Sequence, residues 1–253
     1  MSTVVIAPAK LTLSLRITGR RADGYHLIDA EMVTLDLADT LTITDAADAP
    51  DALDASDAGE RLSASGPFGE GVPLDGSNLV AKALRLVGRQ AAVNIDKQIP
   101  HGGGLGGGSA DAAAVLRWAH YNDLDGAATI GADVPFCLVG GRARVTGIGE
   151  IVEPLRPVWM DVTLVIPPLS CSTPAVYRAW DDLGGPTDAG PNDLTAAALV
   201  VEPRLAQWRD RIRDAAGDDP VLAGSGATWF LPGHHPSIAD ALPEARVLLT
   251  RTA

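Results

Sequence analysis

An α+β fold is predicted for this chain of 253 residues by three observations. Four strand-like runs come before the first helical pattern, which argues against a doubly wound sheet of alternating strands and helices. A run of glycines then joins a short strand to an alanine-rich helix. Finally, Pro154 and Pro157 interrupt the chain just before a clean apolar strand, so a second lobe is expected to begin there. The expected division is an N-terminal lobe over 1–153 and a C-terminal lobe over 154–253. Apolar residues make up 46% of the chain, enough for a sizeable core.

The first strands are expected at Thr3–Ile6 and Leu11–Ile17, the second alternating Leu11, Leu13, Leu15 and Ile17. Gly19 to Gly24 is a polar turn, followed by strands over Leu27–Leu37 and Thr40–Thr44. Residues 45–77 change character, with Asp45, Asp48, Asp51, Asp54, Asp57 and Glu60 at every third position among Ala, Pro and Ser. A calcium loop needs acids at alternate positions, a Gly and a closing Glu, so a solvated loop is expected instead. Asn78–Gly88 follows as a helix with Leu79, Ala83, Leu86 and Val87 on one face, then a short strand at Ala92–Ile95. Ser109–Ala119 is a helix, 119–130 a polar connection and Arg142–Val145 a strand. Further on, a strand at Val162–Ile166 precedes helices at Pro174–Leu183, Leu194–Val201 and Arg204–Ala216. A strand at Thr228–Leu231, a helix at Ser237–Leu242 and a strand at Arg246–Thr250 complete the pattern.

Lys and Arg number 20 against 32 Asp and Glu, a formal charge of −12. Nucleic acid and anionic membrane both reward positive patches, so neither is an expected partner. Only Cys137 and Cys171 are present, far apart and with no CxxC pattern, which speaks against a disulfide framework or a zinc site. His101, His120, His234 and His235 lack metal-ligand spacing of the HExxH kind, and no metal ligands are assigned. The first 20 residues alternate like a strand rather than forming a signal peptide, and no stretch approaches the ~20 apolar residues of a membrane span. A cytoplasmic location is therefore expected.

The most distinctive stretch is Pro100-His101-Gly102-Gly103-Gly104-Leu105-Gly106-Gly107-Gly108-Ser109, set between a strand and a helix. Glycines let backbone approach a ligand without obstruction by Cβ. The free N–H groups and dipole at a helix N-terminus favour an anion, so phosphate is the natural tenant, with Ser109 able to cap the helix or reach a phosphate-bound cation. Gly102-x-Gly104-x-x-Gly107 formally fits a dinucleotide fingerprint. The acid that would read the ribose, Asp123 or Asp125, follows Trp118 to Asn122, which is not a strand. A P-loop fails too, because no Lys-Ser/Thr pair follows the last glycine.

Three companions accompany the loop: Ala7-Pro8-Ala9-Lys10, Gly131-Ala132-Asp133-Val134-Pro135-Phe136 and Gly224-Ser225-Gly226-Ala227-Thr228. In this order they resemble the small-molecule kinase superfamily of galactokinase, homoserine kinase and mevalonate kinase. Arg21-Ala22-Asp23-Gly24-Tyr25-His26, Thr146-Gly147-Ile148-Gly149-Glu150, Ser172-Thr173-Pro174-Ala175-Val176-Tyr177 and Asn192-Asp193-Leu194 narrow the resemblance to the 4-diphosphocytidyl-2-C-methyl-D-erythritol kinases. It runs from about Val4 to Thr250.

The resemblance implies a two-lobed kinase fold with a ferredoxin-like C-terminal lobe and the active site between the lobes. It also implies ATP and Mg²⁺ as cofactors, and a substrate carrying a cytidine diphosphate group whose 2-hydroxyl is phosphorylated for isoprenoid precursor synthesis. Lys10 and Asp133 match the catalytic pair, and Pro100 to Ala110 the ATP-phosphate loop, with Lys97 just before it at a nucleotide position. Tyr25 and His26 match residues that read cytosine, and Tyr177 an aromatic that stacks on it. Thr12, Thr173 and the Gly224-Ser225-Gly226 loop line the same cleft by analogy. Phosphoryl transfer rests on in-line positioning and charge neutralisation, and an Asp within reach of a hydroxyl can take its proton. On its own, Asp133 reads as a cap or anchor of the turn before Pro135, and its register with the two glycine loops is what raises it above that.

Three positions depart from the family pattern. Thr12 stands where Asn is usual, Ala110 where a second Ser is common, and 119–130 is short for the extra helix most members carry there. A related kinase with another alcohol substrate, and a weakened nucleotide-binding protein on the same frame, are the alternatives.

Overall fold

Two long strands organise the first half of the computed structural model, which describes residues 1–45, 61–185 and 190–253. β1 (Ser2–Arg20) and β2 (His26–Asp45) pair antiparallel along their length, so the shorter strands expected there are fused. The register shifts between Pro8 and Lys10, between Thr12 and Ser14, and between Ile17 and Gly19. Such irregularities accommodate Pro8, which has no N–H, and break the two-residue alternation by which one continuous strand is recognised.

β2 changes neighbours along its length. Residues 28–33 pair with β5 (Arg142–Gly147), and residues 40–45 pair with β4 (Ala91–Asp96). β6 (Ile151–Pro154) continues the sheet beyond β5, and β3 (Leu62–Ser65) lies parallel to β4 at the opposite edge. β3 corrects the expectation of a loop throughout 45–77. Its four residues contain no β-branched side chain, so the ladder supplied by β4 decides their conformation. The acidic residues from Asp48 to Glu60 lie outside the described residues.

Among the described residues this half carries four helices: α1 (Leu79–Leu86), α2 (Gly107–Trp118), α3 (Leu124–Ala128) and α4 (Val134–Val139). α1 begins at Asn78, whose side chain accepts the Val80 N–H at 2.8 Å. α3 is a correction to the polar connection expected over 119–130, and Asp123 caps it by accepting the Asp125 N–H. α2 is buried on nearly every side through Ala110, Ala112, Ala113, Ala114, Val115 and Leu116. Its small side chains let α1, α4 and β1 approach closely. Arg117 locks that arrangement by donating to Cys137 O of α4 at 2.6 Å and to Ile6 O of β1 at 2.9 Å.

The second half runs β7 (Asp161–Ile166), α5 (Thr173–Asp182), α6 (Thr195–Val201), α7 (Arg204–Ala216), β8 (Val221–Leu222), β9 (Trp229–Pro232), α8 (Ser237–Ala241) and β10 (Arg246–Arg251). The strands form an antiparallel sheet in the order β10-β7-β9-β8. This is the split β-α-β order of the expected ferredoxin-like lobe. Backbone bonds join the two halves at β1: Leu15 N–H donates to Pro191 O at 2.8 Å, and Asp193 N–H to Leu15 O at 3.0 Å. The buried Asp193 carboxylate also accepts from Arg16 and from the Ile17 N–H. Among the described residues, no helix is long and apolar enough to cross a membrane.

Candidate active site

Lys10 and Thr12 lie on β1 between two of its register shifts, where the strand re-aims its side chains. The Lys10 ammonium donates to Thr12 Oγ1 at 3.1 Å and forms an ion pair with Asp133 at 3.1 Å. Lys10 is almost fully buried, whereas the Asp133 side chain keeps 31% of its surface open. Asp133 occupies the N-cap position of α4 but makes no capping bond. Its carboxylate is therefore left to Lys10 and the cleft, which removes the plain turn-anchor reading. Gly149 packs so closely on the Ala132 carbonyl that a side chain there would collide with it, fixing the turn that carries Asp133.

The glycine loop ends at Gly106, which caps α2 in the left-handed region at φ +67° and leaves the helix without a side-chain cap. The first N–H groups of α2 are thus available to an anion. A Cβ on Gly106 would sit 2.7 Å from Lys10 Cγ, so glycine is what lets Lys10 lie against the loop. Leu105 O accepts the Lys10 N–H at 3.0 Å and ties loop to strand. The late glycine loop interlocks with this one. A Cβ on Gly226 would come within 2.5 Å of Gly104 N, and one on Gly104 within 2.5 Å of Ala223 O. Asn192 holds the late loop in place by donating to Leu222 O and Gly224 O.

A cavity of about 220 Å³ gathers Lys10, Thr12, Gly104, Ser109 and Asp133 with Thr173, Tyr177, Gly224 and Ser225. Thr173 and Ser225 hydroxyls bond each other at 2.7 Å across it. A second cavity of about 370 Å³ shares Ile28, Ala132, Ile148, Thr173 and Tyr177 with the first and adds Arg20, Tyr25, His26 and Asp181. Tyr25 is 61% exposed at its rim. The His26 ring lies 4.9 Å from that of Tyr177 and stands edge-on to Trp180 at 5.6 Å. His26 Nε2 lies 2.7 Å from an Asp181 oxygen. An ionised carboxylate only accepts, so Nε2 is the ring nitrogen that donates to Asp181. Burial, with the Asp133 charge adding to it, pushes the Tyr177 phenol up and keeps it neutral. Burial likewise pushes the Cys137 thiol, one turn after Asp133, up to about 12.

Not every residue of the expected ATP loop faces the cleft. Lys97 differs most, since its ammonium is buried in ion pairs with Asp39 and Asp111. A lysine that follows a strand next to a phosphate loop looks identical in sequence whether its ammonium turns in or out. Pro100, Leu105 and Ala110 are buried as well, so Ala110 in place of Ser presents its side chain to the core. His101 and Gly102 are exposed at the loop's outer edge. Gly103 packs on Thr228, Gly107 on Ile99 and Lys97, and Gly108 faces Leu79. Sequence reasoning missed Asp181 and Asp39. Asp181 lies four residues after Tyr177 on a helix, and that same-face spacing was the available signal.

Residues 78–141 match the model of the GHMP kinases N terminal domain. The chain is 40% identical to a 4-diphosphocytidyl-2-C-methyl-D-erythritol kinase of Paracoccus denitrificans, over 93% of this chain and 88% of that one. It is 37% identical to the enzyme of the same name from Ruegeria pomeroyi, over 91% and 88%. A crystal structure of 4-(cytidine 5'-diphospho)-2C-methyl-D-erythritol kinase superposes with a TM-score of 0.73 at 29% identity, covering 99% of both chains. A homoserine kinase from Cytophaga hutchinsonii, at 17% identity and a TM-score of 0.62, shares the fold. The chain belongs to the 4-diphosphocytidyl-2-C-methyl-D-erythritol kinase family.

Proposed function

We propose that this chain transfers the γ-phosphoryl group of ATP to the 2-hydroxyl of 4-diphosphocytidyl-2-C-methyl-D-erythritol, releasing ADP, in the non-mevalonate supply of isoprenoid precursors. The observation that carries the reading is the Lys10–Asp133 pair beside the uncapped N-terminus of α2, in a cavity continuous with an aromatic pocket. Asp133 takes the hydroxyl proton, and Lys10 offsets negative charge at the reacting oxygens. The phosphates lie on Gly102 to Ser109 and on the first N–H groups of α2. His26 and Tyr177, with Tyr25 at the rim, hold the cytosine. Thr12, Thr173 and the Gly224-Ser225-Gly226 loop line the path between base and acceptor hydroxyl.

The donor set fits a nucleotide-borne Mg²⁺. Among the described residues no three His, Cys, Asp or Glu are grouped to hold a metal. Magnesium bound with a nucleotide takes one or two protein ligands and keeps phosphate oxygens and water. Ser109, which lines the cavity, would hold it, and when bound it would neutralise charge on the phosphates. We further assign 1–153 as the nucleotide-binding and catalytic lobe and 154–253 as the C-terminal lobe, a division supported by β6 ending at Pro154 and β7 starting at Asp161. A cytoplasmic location is part of the same reading, supported by two free thiols, Cys137 and Cys171.

The test is coupled ADP release with the diphosphocytidyl substrate, set against homoserine, mevalonate and galactose. Turnover with the cytidyl substrate alone is expected. Turnover only with another alcohol would replace the substrate assignment, and ADP binding without any turnover would leave a nucleotide-binding protein.

A further inference from the structure

Beneath the glycine loop lies a cluster of charges that the chemistry above does not use. Lys97, immediately after β4, pairs its ammonium with Asp39 of β2 and with Asp111 of α2, the latter at 2.7 Å. Asp39 is 0% exposed, and Lys97 and Asp111 are 3% exposed each. The second oxygen of Asp39 accepts the backbone N–H groups of Gln98 at 2.5 Å and Ile99 at 2.8 Å. Asp39 thus grips the first residues of the loop, Asp111 stands on the helix that ends it, and Lys97 joins the two. A Cβ on Gly107 would fall 3.2 Å from Lys97 Nζ, which puts the ammonium against the first residue of α2.

Stability alone does not account for such a cluster. Two carboxylates share one ammonium out of contact with water, and Asp111 Oδ1 has no hydrogen-bond partner. Burial accordingly pushes the Asp111 carboxyl up, with Lys97 opposing the shift and Asp39 reinforcing it. Apolar side chains of similar volume generally stabilise a core as well as buried ion pairs do, or better. What apolar side chains would not supply is the acceptor for the Gln98 and Ile99 N–H groups and a fixed bridge from β4 to α2.

We propose that Asp39, Lys97 and Asp111 are positioning residues for phosphate binding. They clamp both ends of residues 98–106, so that the α2 N-terminus and Lys10 face the nucleotide phosphates together. The inference rests on the reading of this loop as the ATP-phosphate site, and it turns Lys97 from a nucleotide ligand into a residue that acts through the loop.

The test compares wild type, Asp39→Asn and the triple variant Asp39→Asn/Lys97→Met/Asp111→Leu, which leaves no charge of the cluster behind. Three readouts are taken: ADP affinity by calorimetry, hydrogen exchange of residues 98–110 without nucleotide, and the thermal midpoint. Both variants are expected to weaken ADP by about ten-fold or more, the loss of a charge-assisted bond network expressed at the ligand. They should also speed exchange across the loop and raise KM for ATP, with KM for the alcohol substrate unchanged. The triple variant should do so with its thermal midpoint kept or raised, which a purely structural role does not allow. Wild-type ADP affinity and exchange in either folded variant would overturn the proposal. A wild-type protein that does not bind ADP would instead sink the functional reading, and the exchange measurement, which needs no nucleotide, would still decide the clamp.

Discussion

At the proposed phosphate end of the cleft, the contacts come from one continuous stretch, residues 102–109, and much of the work falls to backbone. At the base end they come from side chains brought together from far apart. His26, at the start of β2, meets Asp181 of α5 across 155 positions of sequence. The first end is rigid because glycines interlock and buried charges grip the loop from below. The second is shaped by rings and one oriented imidazole, with Tyr25 left largely in solvent. Changes at the phosphate end should therefore disturb geometry and the chemical step. Changes at the base end should disturb recognition of one substrate.

The sharpest division comes where the two ends meet, at Asp133. Replacing it with Asn keeps the size and removes the proton acceptor. We expect kcat to fall by about 10²–10⁴-fold, the usual range for a lost general base, while ADP affinity from calorimetry stays near wild type. An unchanged kcat would take Asp133 out of the reaction. Next in size is Gly226→Ala. Its Cβ would meet backbone of Gly103 and Gly104 within 2.7 Å, and backbone does not swing aside as a side chain does. Overpacking of this kind costs about 1–3 kcal/mol, and displacing the loop by ~1 Å is worth up to about 10²-fold in turnover. Thermal unfolding and kcat/KM for ATP measured together check both parts. A stable variant with full activity would mean that the loops do not need to interlock.

At the base end, Asp181→Ala removes the acceptor that holds the His26 N–H. KM for the cytidyl substrate should rise about ten-fold, as for a lost charge-assisted hydrogen bond, with KM for ATP unchanged. A rise in KM for ATP of the same size would erase the distinction between the two ends. His26→Ala should match it, and the double variant should add little, because both changes remove one arrangement.

The same contrast decides how much could be read from sequence. The phosphate end was legible because its glycines are contiguous and lie between a strand and a helix. Lys10 and Asp133 became legible only as companions of that loop. The buried partners of Lys97 were not, since Asp39 lies 58 positions away and nothing distinguishes it among 32 acids. The α+β class followed from strand and helix order, and the ferredoxin-like half from the family resemblance. β3 and β8 did not, because strands of four and two residues owe their conformation to their neighbours. β1 was divided in two because its bulges interrupt the alternation, and those same bulges surround Lys10 and Thr12. A break in pattern at the site is where local preference gives way to function.

The smallest expected effect tests the charges below the loop. Asp111 faces Lys97 of the β4 end and Asp39 of β2, and burial raises its carboxyl from an ordinary 3.8 to about 7. Between those values the folded protein keeps a proton that the unfolded chain has released. The contribution of Asp111 to stability is therefore fully present below about pH 4, declines as pH rises, and is lost once pH has passed about 7. The carboxylates of half-buried Glu202 and exposed Glu244, held low by Arg204 and Arg211, act in the opposite sense, since their contribution is lost as pH falls. The difference between Asp111→Asn and wild type removes those common parts. Asn has no proton to lose, so the thermal midpoint of the variant should gain on wild type between about pH 4 and about pH 7, by about 2–4 °C for each kcal/mol in a chain of this size. A difference that stays flat with pH would mean that Asp111 is ionised throughout, and the buried cluster would then carry a full net negative charge beneath the N-terminus of α2.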